Sequence, residues 1–218
     1  MSLQTSRRVP CLRAIPTADE LCRYGVKLKG ILFDMDGTLL NTEPVHTLAL
    51  WKLLEIANKD HPFSSMNELN ERLCGLCDED VYKVLAPHLN CDAFEFIFQK
   101  NQLLSLMSRE ESFRKCFTPQ MQTLIEDLKG KGLLIGLVSA SQSEVVEAFL
   151  KSLGLHEFFD VVIGRSEVVR TKPDPAPYQV ACERLGIRAY EALVLEDSKT
   201  GMESARGAGV QLVQVAWY

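Results

Sequence analysis

Short hydrophobic runs alternate with longer amphipathic segments in most of the chain after residue 27. The short runs are typical of buried strands; they span residues 30–33, 133–138, 161–163, 192–195 and 211–215. The segments between them carry helix signals: Ser141 with Glu144 as a capping box, Asp174 before Pro175 at a helix start, and Gly186 at a helix end. This alternation predicts an α/β fold, a doubly wound parallel sheet with a Rossmann-like core.

Residues 42–116 break the alternation, because they show helix signals and no convincing strand. Helices are expected to open at Glu43, Ser65, Asp78 and Asp92. In the last of these, the spacing of the apolar side chains predicts one buried face formed by Phe94, Ile97, Phe98 and Leu104. The stretch therefore reads as a small helical domain inserted after the first strand.

These patterns divide the chain into three parts. Residues 1–27 are expected to form a flexible N-terminal extension, residues 28–41 and 117–218 the α/β core, and residues 42–116 the helical insertion. A chain of 218 residues is long enough for such an arrangement.

Composition narrows the possible functions. The net charge of -5 gives no general attraction to nucleic acid. No apolar run approaches the roughly 20 residues that a membrane-spanning helix requires. Seven cysteines, an odd number with irregular spacing, favour free thiols in a reducing compartment over a disulfide framework. We therefore expect a cytoplasmic protein, a monomer or weak dimer, whose partner is neither nucleic acid nor membrane.

Polar residues follow the predicted strands at their carboxyl ends, where parallel α/β sheets bind ligands. These residues are Asp34 and Asp36 after the first strand, Ser139 after the second, Glu196 and Asp197 after the fourth, and Lys172 in the loop beyond the third. A single carboxylate at such a place often caps the next helix. Four segments that deliver carboxylates, a hydroxyl and an ammonium to one edge indicate a binding site instead.

The neighbouring carboxylates require either a cation or a shared proton between them. Asp34 and Asp36 lie two apart in an extended segment, so their side chains point the same way and repel each other. With Asp197 they make an oxygen-rich pocket suited to Mg²⁺, which binds carboxylates together with water and phosphate oxygens. Lys172 supplies a positive charge for phosphate.

Four motifs resemble those of the haloacid dehalogenase-like hydrolase superfamily, in the family's order and spacing. They are Phe33-Asp34-Met35-Asp36-Gly37-Thr38-Leu39, Ser139 after its apolar strand, Lys172-Pro173-Asp174-Pro175, and Leu195-Glu196-Asp197-Ser198 with Gly201. The resemblance covers about residues 28 to 216. It implies a magnesium-dependent phosphatase that acts on a small phosphorylated metabolite, such as a sugar, polyol or glycolate phosphate.

The resemblance also implies roles for the carboxylates. Asp34 is expected to be the nucleophile that forms an aspartyl-phosphate. Asp36 is expected to protonate the leaving alcohol and then to deprotonate the attacking water. Mg²⁺ is expected to bind the Asp34 carboxylate, the Asp36 backbone carbonyl and Asp197, with Glu196 touching the metal or its waters.

The resemblance also implies which residues bind the phosphate group. Ser139 and the neighbouring Ala140 amide are expected to bind phosphate oxygens. Lys172 is expected to pair with both the phosphate and Asp34, which makes it a catalytic as well as a binding residue. The inserted helices resemble the four-helix cap of one subgroup, which covers the site and selects the substrate.

Other functions remain open at this stage. Related β-phosphoglucomutases carry a phosphate-gripping Arg at the position that Asp78 occupies here, so a phosphomutase is disfavoured; Lys83 or Lys100 could supply the missing charge instead. A dehalogenase has no use for Asp36 or the magnesium ligands. An inactive binding or regulatory protein on the same fold is the alternative from outside the enzymes.

Overall fold

The computed structural model describes residues 9–24, 27–57, 61–74 and 76–218. They form two compact units. The sheet unit contains the described residues up to Leu40, Phe117–Ala140 and Glu157–Tyr218, and the helical unit contains the described residues of Asn41–Cys116 together with Ser141–His156.

All the strands of the sheet unit pair in parallel in a single sheet. They are β1 (Cys11–Leu12), β2 (Gly30–Phe33), β3 (Leu134–Val138), β4 (Val161–Ile163), β5 (Ala192–Glu196) and β6 (Gln211–Val215). Their order across the six-stranded sheet is β1-β6-β5-β2-β3-β4. The five strands predicted from the apolar runs are present as β2 to β6, with ends that differ by at most one residue.

The helices complete an α/β architecture, so the predicted fold class is confirmed. They are α1 (Ala18–Cys22), α2 (Glu43–Ala57), α3 (Met66–Leu73), α4 (Asp78–Leu85), α5 (Ala93–Met107), α6 (Pro119–Gly130), α7 (Ser143–Leu153), α8 (Ala176–Arg184) and α9 (Lys199–Ala208). Short 3₁₀ helices cover Ala86–His88, Glu111–Cys116, His156–Phe158, Arg165–Glu167 and Ala189–Glu191. None of the helices in the described part of the chain is long and apolar enough to cross a membrane.

The core of the sheet unit lies between the strands and the helices α8 and α9. Alternate residues of the strands, such as Leu32 and Val194, pack there against Tyr178, Ala181 and Ala205 from the two helices. All five of these side chains are buried. Helix α6 packs against β3, and α1 packs against α6. The strands are therefore held firmly up to their carboxyl ends, where the polar residues begin.

The described residues before 28 form more than an extension; residues 1–8, 25 and 26, for which a flexible extension was also predicted, lie outside the described part of the chain. The strand β1 pairs with β6, matching Cys11 with Gln214 and Leu12 with Val215. Helix α1 starts with a capping box between Thr17 and Glu20. Strand β1 has only two residues, too few to show an apolar pattern, so the sequence does not predict it. It forms because the edge of β6 provides backbone hydrogen-bond partners.

Two helix starts differ from prediction. Helix α7 begins at Ser143 with Gln142 at its N-cap and no side-chain cap bond, so the predicted Ser141 and Glu144 box is wrong. Helix α8 begins at Ala176 rather than at Pro175, although the Ala176 N–H still donates to the Asp174 carboxylate at 2.9 Å. The predicted starts at Ser65 and Asp92 are confirmed, since each caps its helix through its side chain.

The helical unit has its own hydrophobic core. Leu54, Leu69, Leu85 and Phe96, one from each of α2 to α5, are among its buried side chains. Residues 141–156, expected with the α/β core, belong to this unit because α7 packs against α5.

The predicted buried face of α5 is only partly correct. Leu104 is buried, but Phe94 is 81% exposed and Phe98 is 55% exposed. The buried positions instead include Phe96, Lys100 and Leu104, which recur every four residues. Apolar residues lie on more than one side of this helix, so periodicity does not identify the side that packs.

Candidate active site

The register of the sheet brings the predicted site residues to one level. Phe33 at the end of β2 aligns with Leu195 of β5 and Leu137 of β3. The next residues along the three strands, Asp34, Glu196 and Val138, therefore meet at the carboxyl edge. The Asp34 N–H extends the ladder by donating to the Leu195 carbonyl at 3.0 Å.

Lys172 lies at the centre of this group. Its Nζ donates to Asp34 Oδ1 at 2.5 Å, to Glu196 Oε2 at 2.7 Å and to the Val138 carbonyl at 2.9 Å. All three donors of the ammonium group are thus used in a buried environment, where only 7% of the residue is exposed. Asp174, two residues after Lys172, accepts a bond on its carbonyl from Ser204 Oγ at 2.6 Å, which ties the lysine loop to α9.

Glu196 is fully buried and its two oxygens have separate partners. Oε2 accepts from Lys172 and from the Tyr178 hydroxyl at 2.6 Å, and Oε1 accepts from the Ser198 N–H and hydroxyl. Burial opposes ionisation, but the Lys172 charge and these hydrogen bonds hold the pKa of Glu196 below its ordinary value. Glu196 is therefore a charged group that holds Lys172 in place.

The electrostatics of the Asp34–Lys172 pair follow from burial. Burial and then the charge of Glu196 raise the pKa of Asp34 well above its ordinary value, although Lys172 works in the opposite direction. Burial also disfavours a charged Lys172, but Asp34 and Glu196 outweigh it and raise the pKa of Lys172 well above its usual range. The ammonium thus stays charged between two carboxylates.

Asp197 lies beside this group and faces the loop after β2. Its Oδ1 accepts a hydrogen bond from the Thr38 hydroxyl at 3.2 Å. Gly37 has a φ of +82°, and a Cβ there would lie 2.3 Å from Asp197 Oδ2, so only glycine lets the loop approach so closely. Burial and then the charge of Glu196 raise the pKa of Asp197 to about 7.

The loop that carries Asp36 is closed by backbone hydrogen bonds. The Leu39 N–H donates to the Asp34 carbonyl at 3.1 Å, and the Gly37 N–H donates to the Leu40 carbonyl at 2.8 Å. Asp36 is half-buried and forms an isolated bridge with Leu40. Ser139 is buried at the end of β3, and Ala140 after it is exposed.

The carboxylates suit a hard cation. Among the described residues, Asp34, Glu196 and Asp197 offer ligand atoms that all lie within 4.8 Å of one another. The Asp36 side chain is not part of that group; the family resemblance implies that its backbone carbonyl is the metal ligand. Since Glu196 is already held by Lys172, Tyr178 and Ser198, the donor set that fits Mg²⁺ best is Asp34 and Asp197.

Tyr178 and Thr38 contribute to the site without having been singled out from the sequence. Tyr178 lies in α8 and is fully buried against Glu196 and Lys172. Nothing in its local sequence distinguishes it from an ordinary core tyrosine. Thr38 could have been predicted as a site residue, because it follows Gly37 within the first motif.

In the helical unit, Asp78 forms a salt bridge with Lys100, whose side chain is largely buried in α5. Lys83, the other lysine that could supply a positive charge, pairs with Asp80 at 2.7 Å on the surface of α4. Asp78 is therefore not an isolated negative charge. Cys74 and Cys77 are exposed and not joined in a disulfide, and burial raises the pKa of Cys77, which disfavours a reactive thiolate there.

Comparison with known proteins identifies the family. Residues 31–215 match the family of haloacid dehalogenase-like hydrolases, and the chain belongs to it. It is therefore a hydrolase on a Rossmann-like core, as the sequence predicted.

Two curated relatives cover most of the chain. The chain is 29% identical over 193 residues to the "Phosphorylated carbohydrates phosphatase" of Thermotoga maritima, covering 85% of this chain and 84% of that protein. It is 30% identical over 202 residues to the pyrophosphatase PpaX of Bacillus cereus (strain B4264), covering 88% and 85%.

A solved structure matches over a similar length. CbbY from Rhodobacter sphaeroides, crystallised in complex with xylulose-(1,5)bisphosphate, superposes with a TM-score of 0.70 and 26% identity. The match covers 85% of this chain and 84% of that one.

Proposed function

We propose that this protein is a magnesium-dependent phosphatase that hydrolyses a small phosphorylated metabolite through an aspartyl-phosphate on Asp34. The observation that carries the proposal is the buried Asp34 carboxylate. Its Oδ1 accepts a hydrogen bond from Lys172 Nζ at 2.5 Å, and it lies beside Asp197. A carboxylate fixed by an ammonium at a sheet edge is suited to attack phosphorus, because its position is set before the substrate binds.

The reaction has two steps. A carboxylate oxygen of Asp34 attacks phosphorus, and the substrate alcohol leaves with a proton from Asp36. Asp36 then takes a proton from water, the water oxygen attacks phosphorus, and phosphate departs from Asp34. The half-buried position of Asp36 in the loop after β2 supports this role, because an acid and base must be reached by both the alcohol and water.

Lys172 binds the phosphoryl group, and its charge lowers the pKa of Asp34 against the larger effects of burial and Glu196. Glu196 holds Lys172 and balances its charge, while Ser139 and the Ala140 N–H bind the remaining phosphate oxygens. Asp34, Asp197 and the Asp36 backbone carbonyl would hold Mg²⁺. When bound, the ion neutralises negative charge on the phosphoryl oxygens and favours the ionised forms of both carboxylates, which burial opposes.

A sugar, polyol or glycolate phosphate is the proposed substrate class. Its support is the name of the Thermotoga maritima relative, which acts on phosphorylated carbohydrates. Selection within the class is assigned to the helical residues 42–116, on their resemblance to the cap of the family. We further propose a cytoplasmic location, on the number and spacing of the cysteines.

Asp34→Asn tests the mechanism. It preserves the shape of the side chain but removes the nucleophile, so turnover of p-nitrophenyl phosphate should be abolished while the folded structure remains. Mass spectrometry of wild-type enzyme quenched during turnover should locate a phosphate adduct on Asp34. An adduct on Ser139, or an Asp34→Asn protein with wild-type turnover, would contradict the proposal.

A further inference from the structure

The last two residues of the chain hydrogen-bond to the loop that carries Asp36. Trp217 Nε1 donates to the Thr38 carbonyl at 2.9 Å, and the Tyr218 hydroxyl donates to the Leu39 carbonyl at 3.3 Å. Both acceptors are backbone carbonyls immediately after Gly37. The contacts join segments 179 residues apart in the sequence, so no local pattern predicts them.

The C-terminal residues are themselves held by β1. The Ala216 N–H donates to the Leu12 carbonyl at 2.8 Å, and the Gln214 N–H donates to the Pro10 carbonyl at 2.9 Å. These bonds continue the parallel pairing of β1 with β6 up to the residue before Trp217. The part of the chain that matches the family spans residues 31–215, so residues 10–12 and residues 216–218 both lie outside it.

Thr38 connects Trp217 to the carboxylate cluster. Its carbonyl accepts from the indole, while its hydroxyl donates to Asp197 Oδ1 at 3.2 Å. A shift of the Thr38 backbone therefore moves the hydroxyl that orients Asp197. The loop has little room to compensate, because Gly37 lies against the other oxygen of Asp197.

We infer that Trp217 is a positioning residue for the proposed metal site. Held in place by β1, it fixes Thr38 through the indole N–H, and Thr38 in turn orients the Asp197 carboxylate toward the cation. This inference rests on the proposed function, because it assumes that Asp197 binds a cation. The hydrogen bonds that link Leu12 with Ala216, Trp217 with Thr38, and Thr38 with Asp197 lie within the sheet unit and do not depend on that function.

Trp217→Phe tests the inference, since it keeps an aromatic ring and removes the N–H donor. The matched control is Trp51→Phe, which removes the same N–H from a bond to Glu55 on α2 of the helical unit. Loss of one hydrogen bond corresponds to a change of roughly 2- to 10-fold in an equilibrium constant. Trp217→Phe should therefore raise the half-saturating Mg²⁺ concentration by about that factor, with the substrate KM at saturating Mg²⁺ unchanged.

Two measurements do not depend on activity. Amide hydrogen exchange without substrate should become roughly 2- to 10-fold faster at residues 37–40 in Trp217→Phe, while β3 and β5 keep wild-type exchange. Mn²⁺ binding, followed by electron paramagnetic resonance, should weaken by a similar factor. Trp51→Phe should change neither the exchange at residues 37–40 nor the binding of Mn²⁺.

The exchange rates and the Mn²⁺ affinity of Trp217→Phe together decide whether Trp217 has a positioning role. Unchanged exchange at residues 37–40 together with unchanged Mn²⁺ binding would overturn the inference. Faster exchange throughout the sheet would also overturn it, because Trp217 would then only support the fold. If the wild-type protein bound Mn²⁺ but had no phosphatase activity, while Trp217→Phe weakened Mn²⁺ binding and accelerated exchange at residues 37–40, the proposed function would fail and the positioning role would stand.

Discussion

Replacing Lys172 by Met removes the cation that lies between two buried carboxylates. Met is similar in length and fills the same space, so the change is mainly electrostatic. Three hydrogen bonds are lost, to Asp34, Glu196 and the Val138 carbonyl. Glu196 keeps its bonds from Tyr178 and Ser198, whereas Asp34 loses its nearest positive charge.

The expected cost follows from burial. Side-chain exposure is 2% for Lys172, 9% for Asp34 and 0% for Glu196, so water cannot replace the lost ammonium. Removing one partner of a buried ion pair costs about 3–5 kcal/mol, because the remaining charge is left uncompensated. We expect the free energy of unfolding of Lys172→Met to fall by that amount at neutral pH.

The deficit should depend on pH in a defined direction. Without Lys172, the folded-state pKa of Asp34 rises further above that of the unfolded chain, and the pKa of Glu196 rises too, because the charge that lowered it is gone. A carboxyl with a raised folded-state pKa loses stability as pH rises from its unfolded pKa toward its folded pKa. The difference between Lys172→Met and wild type should therefore be smaller at pH 5 than at pH 7.

Urea denaturation measures this prediction. The double variant Lys172→Met with Glu196→Gln should be less destabilised than Lys172→Met alone, because one of the two uncompensated charges is gone. Lys131→Met is the control: Lys131 pairs with Asp19 on the surface at 2.7 Å, and its loss should have little effect. If Lys172→Met were as stable as Lys131→Met, or if Glu196→Gln added to its cost, the electrostatic account of the site would be refuted.

Three further predictions follow from the site and the helical unit. Asp197→Asn should raise the half-saturating Mg²⁺ concentration more than it changes the substrate KM, and a chelator should abolish wild-type activity; full activity in chelator would remove the metal from the mechanism. Gly201→Ala should destabilise the fold by about 1–3 kcal/mol or more in thermal or urea unfolding, since its Cβ would lie 2.0 Å from the Glu196 carboxyl. Gly130→Ala, with open space at its Cβ, should be neutral or slightly stabilising; equal effects of the two would disprove the packing argument. Finally, β-glucose 1-phosphate supplied with a bisphosphate primer should give free phosphate or no reaction, because Asp78 and its lysine partner provide no net positive charge for a second phosphate. Accumulation of glucose 6-phosphate would instead establish a phosphomutase.

The sequence by itself determined the parts of this protein that depend on local pattern. Strands β2 to β6 are short apolar runs that read as buried whatever surrounds them. The residues that follow them, Asp34, Lys172 and Asp197, could be grouped because parallel strands end at one edge of a sheet. Family membership followed from the same residues, since their types, order and spacing match the motifs of the family.

Only the tertiary structure decided the features that depend on which partner is nearby. Glu196 was expected near the metal, and its contacts with Lys172, Tyr178 and Ser198, which hold the lysine in place, could not be predicted from the sequence. The pairing of β1 with β6 could not be predicted for a similar reason, because a two-residue strand is stabilised by its neighbour and not by its own pattern.

The buried face of α5 and the role of Trp217 show the same limit. The helix has apolar residues on several sides, and packing selected Phe96 while leaving Phe94 exposed. Trp217 donates a hydrogen bond to the carbonyl of Thr38, which lies 179 residues away in the sequence. Hydrogen bonds and packing depend on distance in space, and the sequence specifies that distance only through the completed fold.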